Sequence, residues 1–182
     1  MSANRRSIKT LVLLCCALAL STGPLLAGSN VWTTRGPYGG WIICLAIDPS
    51  NPSTMYAGTL VGVFKTTDGC GIWKAAGLSS YPIYALAIDP STPSTLYAGT
   101  RTGIFKTTDG CGTWSAKNTG LTPKSPPIVC AITIDISCPS IVYAGISICD
   151  GLGNYYGEVC KTTDGGETWN AVDTGEVLSR SV

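Results

Sequence analysis

Hydrogen-bonding side chains, accompanied in the longer case by two aromatic rings, lie in two segments that have no counterpart elsewhere in this chain. The longer segment, Ser147–Glu158, holds the candidate ligand-binding residues Asp150, Asn154, Tyr155, Tyr156 and Glu158. The shorter segment, Thr119–Pro127, adds Lys124, and earlier connections add Tyr38, Trp41 and Tyr81. Aromatic rings can stack on the faces of sugars while amides and carboxylates hold the hydroxyls. The residue types therefore predict a polysaccharide site, and the alternative is a solvent-facing loop that binds nothing.

Catalysis is harder to assemble from these residues. The chain has no His, which excludes His-based triads and His metal sites. Glycoside hydrolysis needs two carboxyl groups that flank the scissile bond. Outside repeated positions, the acidic residues are Asp150, Glu158, Glu167, Asp173 and Glu176. Asp150 and Glu158 share one loop, a weak basis for a fixed separation, so the sequence favours a protein that is not an enzyme.

The cysteines give no metal or disulfide motif. The full sequence has nine of them, and two lie in the apolar N-terminal stretch, which leaves an odd number of seven. There is no C-x-x-C pair and no His partner to suggest zinc. Cys70 and Cys111 occupy equivalent positions of a repeat, too far apart for a direct bond, and Cys160 replaces Phe64 and Phe105 as a core residue. We expect no metal, no cofactor and no identifiable disulfide.

An internal repeat organises the elements that carry these residues. One octapeptide occurs as Thr66–Trp73, Thr107–Trp114 and Thr162–Trp169. Before it, Leu45–Thr59 recurs as Leu86–Thr100 and, with less similarity, as Ile132–Ile146. Asp48 and Asp89 are 41 residues apart and Asp89 and Asp135 are 46 apart, so the third unit is longer. Repeats of this period indicate one supersecondary unit that is stacked several times.

Each unit contains four short β-like runs separated by Asp-Pro, Gly and Asp-Gly turn signals. In the first unit we predict strands A to D at Ile42–Ile47, Met55–Thr59, Val63–Thr67 and Trp73–Ala76. Four antiparallel strands in about 40 residues are typical of a β-propeller blade. The expected fold is therefore all-β, with three blades at about 41–76, 83–117 and 128–172 inside a region spanning 31–175.

The octapeptide resembles the Asp-box, or BNR repeat, S/T-x-D-x-G-x-T-W, of sialidases, sortilin-type receptors, xyloglucanase-like glycosidases and photosystem-assembly propellers. The third copy matches fully, whereas Cys70 and Cys111 stand where the family has Gly and Ile72 stands for Thr. The longer repeat is most similar to secreted xyloglucanase-like or sortilin-like propellers. The resemblance covers about Val31 to Thr174.

That resemblance implies a scaffold role for the repeated residues, in which each Asp caps the turn between strands C and D and each Trp packs into the blade. These structural residues are Asp68, Trp73, Asp109, Trp114, Asp164 and Trp169. A sialidase would also need an arginine cluster, and outside the N-terminal segment the arginines are Arg35, Arg101 and Arg180. In xyloglucanase-like enzymes the active cleft lies between two propellers, and three blades do not make even one.

The count of strands predicts a ring that does not close. Strands A to C occur three times, but a Trp-led D strand occurs four times, because Val31–Trp32 begins an orphan strand at 31–35. Closed propellers have four to eight blades. One hypothesis is a truncated piece of a six- to eight-bladed protein that ends in the tail 176–182. The rival is a homodimer in which two arcs form one six-bladed ring, although this leaves two orphan D strands.

The N-terminus has the pattern of a secretory signal peptide, which we place at 1–27. Basic Arg5, Arg6 and Lys9 precede the apolar run Thr10–Leu20, which is shorter than the roughly 20 residues of a membrane span. An uncleaved anchor is the alternative. Removal of the signal would leave nine basic and 11 acidic residues, a formal charge of −2. We therefore expect a secreted or periplasmic protein that binds neither nucleic acid nor membrane.

Together these patterns predict an exported, non-catalytic propeller module that binds a glycan or a protein. One alternative is a fragment of a xyloglucanase-like glycoside hydrolase, which a second catalytic half would complete. The other is an assembly factor similar to the photosystem propellers, which would form a stable protein complex without affinity for glycans.

Overall fold

The first repeat folds into a four-stranded antiparallel sheet. A computed structural model describes residues 36–37, 40–121, 127–149 and 155–172, without the side chains of residues 149, 155 and 156. The first sheet, blade one, contains β1 (Ile42–Ile47), β2 (Met55–Thr59), β3 (Gly62–Thr66) and β4 (Lys74–Ala75) in that order. The bounds of β1 and β2 agree with those predicted, because Asp-Pro and Gly turns delimit these apolar runs.

The next two repeats form sheets with the same order of strands. Blade two contains β5 (Ala85–Ile88), β6 (Leu96–Thr100), β7 (Gly103–Thr107) and β8 (Ser115–Ala116). Blade three contains β9 (Ile128–Ile134), β10 (Val142–Cys149), β11 (Tyr155–Thr162) and β12 (Asn170–Ala171). The described chain is thus all-β, with three four-stranded antiparallel blades and no helix in its described ranges. The arrangement is that of an incomplete propeller.

Two predicted elements need correction. The D strands are shorter than predicted, since only Lys74 and Ala75 pair with β3 in blade one and Trp73 lies before the ladder. The segment Ser147–Glu158, predicted as a long loop, is largely strand. Beyond the pair Ile146↔Glu158, the β10–β11 ladder continues through Ser147↔Gly157, Ile148↔Tyr156 and Cys149↔Tyr155. Three extra pairs lengthen this hairpin by roughly 10 Å relative to the other blades.

The apolar core lies between the blades, because alternate residues of each sheet face the preceding and the following neighbour. Between blades one and two, the buried side chains are Tyr56, Val63, Ala76, Ile83, Leu96 and Ala98. Between blades two and three, they are Tyr97, Ile104, Leu121, Val129, Val142, Ala144, Ile146, Cys160 and Trp169. Each apolar cluster is therefore formed jointly by two neighbouring blades.

Repeated polar contacts join each blade to the next. The indole N–H of Trp114 donates to the Ala76 carbonyl at 2.9 Å, and that of Trp169 donates to the Lys117 carbonyl at 3.0 Å. In the opposite direction, Lys65 Nζ donates to the Gly110 carbonyl at 3.2 Å. Lys106 Nζ donates to the Gly165 carbonyl at 2.7 Å. These equivalent bonds fix the spacing of successive blades.

The connections fall on two sides of the arc. The A–B and C–D turns share one side, which we call the Asp-turn side, since Gly69 N–H donates to the Ser53 carbonyl at 3.0 Å. The B–C and D–A connections share the other, which we call the loop side, since Ile83 N–H donates to the Thr59 carbonyl at 2.9 Å. The lengthened β10–β11 hairpin extends from the loop side.

Candidate ligand-binding face

The Asp-turn side carries the repeated carboxylates, and hydrogen bonds within each turn engage them. Asp68 Oδ1 accepts the backbone N–H of Gly71 at 2.8 Å and of Ile72 at 3.0 Å. Asp109 Oδ1 accepts the N–H of Thr113 at 2.9 Å, and its Oδ2 accepts the Thr113 hydroxyl at 2.8 Å. A short carboxylate placed before a glycine suits such a turn. These groups therefore order the C–D turn rather than face a ligand.

Asp164 repeats the geometry in the third turn. Its Oδ1 accepts the N–H of Thr168 at 3.0 Å, and its Oδ2 accepts the Thr168 hydroxyl at 2.5 Å. The Trp side chains that follow the turns differ in burial: Trp169 is buried, whereas Trp73 and Trp114 are half-buried. The turns also accommodate Cys70 and Cys111 at φ of 78° and 81°, where the third copy has Gly166 at 92°.

These hydrogen bonds keep the carboxylates ionised. The N–H of Thr113, followed by the hydroxyls of Thr107 and Thr113, lowers the pKa of Asp109 to about 2. The Thr162 and Thr168 hydroxyls lower the pKa of Asp164 well below its ordinary value. The pKa of Asp68 is also lowered, chiefly by the N–H of Ile72. A carboxyl group needs a raised pKa to act as a general acid near neutral pH. Carboxylates held as anions in this way are therefore poor general acids.

A groove of about 530 Å³ lies between blades one and two on the Asp-turn side. Its charged residues are Lys65, Asp68, Lys74 and Asp109. The groups at its centre already have partners, because Lys65 bonds the Gly110 carbonyl and the two aspartates cap their own turns. The groove is therefore a seam between blades, in which Lys65, Asp68 and Asp109 are engaged by hydrogen bonds of the fold.

The loop side offers side chains that the repeat does not require. Trp41 lies just before β1 and is 81% exposed. On the same side, in blade two, Arg101 Nε donates to the Tyr84 hydroxyl at 2.8 Å, and Arg101 is exposed. An exposed indole, a phenol and a guanidinium combine a stacking surface with hydrogen-bond donors. This loop side is the candidate ligand-binding face.

The lengthened hairpin of blade three adds to that face. The backbone of Tyr155 pairs with Cys149 and that of Tyr156 with Ile148, and Glu158 pairs with Ile146. Glu158 is half-buried. The strands give these positions a fixed register, so they are held more rigidly than residues of a free loop would be. Their place at the far end of the ladder puts them on the loop side of blade three.

The structure places the remaining predicted site residues as follows. The ring of Tyr81 packs against Phe105, with centroids 5.0 Å apart, and joins the cluster between blades one and two. Tyr81 is half-buried, so only part of its ring is available to a ligand. The predicted residues Tyr38, Lys124, Asp150 and Asn154 lie outside the described residues. Trp41 is thus the predicted aromatic with a described, open surface.

Sequence reasoning did not select Tyr84 and Arg101. The signal was present, because the B–C turn of blade one is Leu60-Val61 where blade two has Arg101-Thr102. Residues that differ at equivalent turns are candidates for function when shared ones serve the scaffold. The pairing of Arg101 with Tyr84 spans 17 positions, however, and only the folded blade brings the two side chains together.

The cysteines whose side chains the structure describes form no disulfide. They are Cys44, Cys70, Cys111, Cys130, Cys138 and Cys160. Burial raises the pKa of Cys111 to about 12, and that of Cys44 and of Cys160 to about 11. These thiols are protonated and unreactive at neutral pH. Across the residues placed by the structure, no group of three or more Cys, Asp or Glu could hold a metal ion.

Comparisons with solved structures identify the architecture. An ancestral GH74 enzyme aligns at a TM-score of 0.60 and 20% identity over 74% of this chain and 19% of its own. YCF48 from Cyanidioschyzon merolae aligns at 0.51 and 21% identity, over 75% of this chain and 38% of its own. The blades are β-propeller blades. The extracellular domain of BT4673 from B. thetaiotaomicron aligns at 0.47 with 15% identity, over 78% of this chain and 24% of its own.

These likenesses are of fold. No protein-family model matches the chain, and no curated protein does. The chain spans about a fifth of the GH74 structure and under two fifths of the YCF48 structure. In the part of the chain that the structure describes, no helix is long and apolar enough to cross a membrane.

Proposed function

We propose that the protein is an exported, non-catalytic β-propeller module that binds a polysaccharide on its loop side. The observation that carries this proposal is the exposed indole of Trp41, on the same side of the arc as the Tyr84–Arg101 pair and the lengthened hairpin. When an indole stacks on a sugar ring, its apolar surface is removed from water, which favours binding. Neighbouring donors and acceptors then form hydrogen bonds with the sugar hydroxyls. The sequence pattern at 1–27 supports export, and polysaccharides occur outside the cytoplasm.

The described carboxylates support a binding role over a hydrolytic one. Asp68, Asp109 and Asp164 are ionised turn caps on the opposite side of the blades. Glu158 is the one acidic residue that the structure describes on the loop side of blade three, whereas hydrolysis needs a pair. A fragment of a glycoside hydrolase is therefore the second candidate, and a protein-assembly factor is the third.

Calorimetric titration of the mature chain with xyloglucan and cellulose oligosaccharides tests the proposal. We expect binding without release of new reducing ends, and Trp41→Ala should weaken it at least about tenfold. The matched control is Ile136→Ala, because Ile136 is 79% exposed but lies in an A–B turn on the Asp-turn side. Measurable hydrolysis would favour the glycosidase candidate. Absence of glycan binding together with a stable protein complex would favour the assembly factor.

A further inference from the structure

Blades one and three each present one face that contacts no further blade in the described part of the chain. The outer face of blade one, which we call the leading face, comprises Leu45, Ile47, Met55, Phe64 and Trp73. The outer face of blade three, which we call the trailing face, comprises Thr133, Tyr143, Val159, Lys161 and Val172. Cross-strand pairs such as Ile47↔Met55 and Tyr143↔Lys161 place these residues together. The described arc thus presents two different outer surfaces.

Equivalent residues inside the arc show which kind of surface packs against the leading face and which kind packs against the trailing face. Val63 and Ile104 are 1% and 0% exposed because a following blade covers them, whereas the equivalent Val159 is 38% exposed. Leu45 is 55% exposed, whereas its equivalent Leu86 is packed against blade one. The trailing face thus matches surfaces that pack onto a following blade. The leading face matches surfaces that pack onto a preceding one.

The polar groups of the trailing face are also complementary to those of the leading face. Lys65 and Lys106 each donate to a glycine carbonyl in the Asp turn of the following blade. The equivalent Lys161 lies over the Tyr143 ring, 5.3 Å from its centroid, with no such carbonyl acceptor in the described ranges. By the repeat, its acceptor would be the carbonyl of Gly69 in the first Asp turn. That turn also carries the anionic Asp68, which favours an approaching ammonium group.

The tryptophans give the matching observation on the leading face. Trp114 and Trp169 each donate their indole N–H to the carbonyl three residues after the Trp of the preceding blade. Within the described structure, Trp73 Nε1 is the buried side-chain nitrogen that has no hydrogen-bond partner. A buried donor without an acceptor costs free energy. By the same repeat, the acceptor that suits Trp73 is the carbonyl of Val172, at the edge of the trailing face.

We propose that the trailing face of one copy packs on the leading face of a second copy, head to tail. Lys161 then donates to Gly69, Trp73 donates to Val172, and Leu45 and Val159 are buried as their internal equivalents are. Because the two surfaces differ, the contact is heterologous and closes only when the blades complete a ring. Two copies of the described arc supply six blades, within the four to eight that close a propeller. This inference is independent of the glycan proposal.

Light scattering after size exclusion, over a range of concentrations, tests the contact on the mature chain. We expect a dimer for the parent protein. Leu45→Glu on the leading face and Val159→Glu on the trailing face should each raise the dissociation constant at least about a hundredfold, since each buries an unpaired charge. Both positions are exposed in a single arc, so the far-ultraviolet circular dichroism of either variant should match the parent. Ile136→Glu, at a similarly exposed Ile on neither face, should remain dimeric.

Mixing the two face variants separates this contact from other modes of association. The intact trailing face of Leu45→Glu can pack on the intact leading face of Val159→Glu, so the mixture should form a heterodimer although each variant alone is monomeric. A face-to-face contact between two leading faces would instead leave Val159→Glu dimeric by itself. A folded parent that stays monomeric at its highest soluble concentration would overturn the proposal. So would aggregates whose size neither substitution changes.

Discussion

At the scale of single residues, the three Asp turns differ in one hydroxyl. Thr113 and Thr168 each donate a side-chain hydroxyl to the second carboxylate oxygen of their aspartate. The first turn has Ile72 at that position, and Ile72 is exposed. Asp68 is therefore bonded through Oδ1 to its turn but lacks the hydroxyl contact of the other two. The sequence shows that Ile72 stands where the other two turns have Thr. The structure shows that the hydrogen bond lost with this change is the one from the Thr hydroxyl to the second carboxylate oxygen.

We expect Ile72→Thr to restore that bond, and Thr113→Ile to remove the equivalent one. A hydroxyl donor stabilises the ionised carboxylate, so Ile72→Thr should lower the pKa of Asp68 further in the folded state. The added stability is then fully present above the ordinary pKa of 3.8 and is lost as the pH falls towards the folded value, which is about 2 for Asp109. Urea denaturation followed by circular dichroism at pH 7 and at several acidic values measures this.

Ile72→Thr should unfold at higher urea than the parent at pH 7, with the difference shrinking in acid. Thr113→Ile should unfold at lower urea at pH 7, and its deficit should also shrink in acid. Differences between variant and parent that are the same at every pH would show that the hydroxyl acts through packing and not through the carboxylate.

At the scale of elements, much of the blade could be read from the sequence. The bounds of β1 and β2 follow from apolar runs between Asp-Pro and Gly turns, and the structure has them as predicted. In all three blades the ladder of the D strand begins at the residue after the Trp, and in blades two and three the indole of that Trp bonds the neighbouring blade. That role depends on a partner sheet, which local sequence signals do not contain.

The hairpin of blade three shows the same limit. A segment rich in Gly and polar residues predicts a loop, yet Ser147 and Gly157 continue the ladder because their strands are already aligned by the pairs before them. Likewise the packing of Tyr81 on Phe105 arises only when blade two meets blade one. The periodicity of the sequence also does not predict the hydrogen bond between Tyr84 and Arg101. Contacts between units are set by tertiary structure, whereas repeated turns are set locally.

Substitution of two equivalent tryptophans tests the bond between blades. Trp114→Phe removes the donor to the buried Ala76 carbonyl, and an unsatisfied buried acceptor costs about 1–3 kcal/mol. Trp73→Phe removes a donor that has no partner in the described structure, and both Trp side chains are half-buried. We therefore expect Trp114→Phe to reduce the free energy of unfolding by about 1–2 kcal/mol more than Trp73→Phe. Urea denaturation at low protein concentration, where a single arc predominates, measures both.

Equal losses for the two tryptophan variants would indicate that ring volume matters and that the indole bond does not. A larger loss for Trp73→Phe would contradict the assignment of Trp73 as the unpaired member of the series.

At the scale of the whole molecule, stability should be distributed as in other repeat architectures, where each unit depends on its neighbours. Blade two has a blade packed on both faces, through Leu96 and Ala98 on one side and Tyr97 and Ile104 on the other. Blade one packs against a described blade on one face, and most residues of β1 are exposed. The central blade is thus the most constrained part of the arc, and the terminal sheets are where opening begins.

Hydrogen exchange measured by mass spectrometry tests this distribution together with the head-to-tail contact. In a dilute sample, amides of β6 and β7 should exchange most slowly and those of β1 should exchange faster than those of β5, its equivalent in blade two. As the concentration rises, association covers the leading and trailing faces, so exchange in β1 and β11 should slow while that in β6 stays unchanged. Leu45→Glu should abolish the concentration dependence and keep the dilute pattern. Protection that rises in β1 alone would mean that leading faces pack on each other, because the head-to-tail contact must protect β11 of the second copy as well.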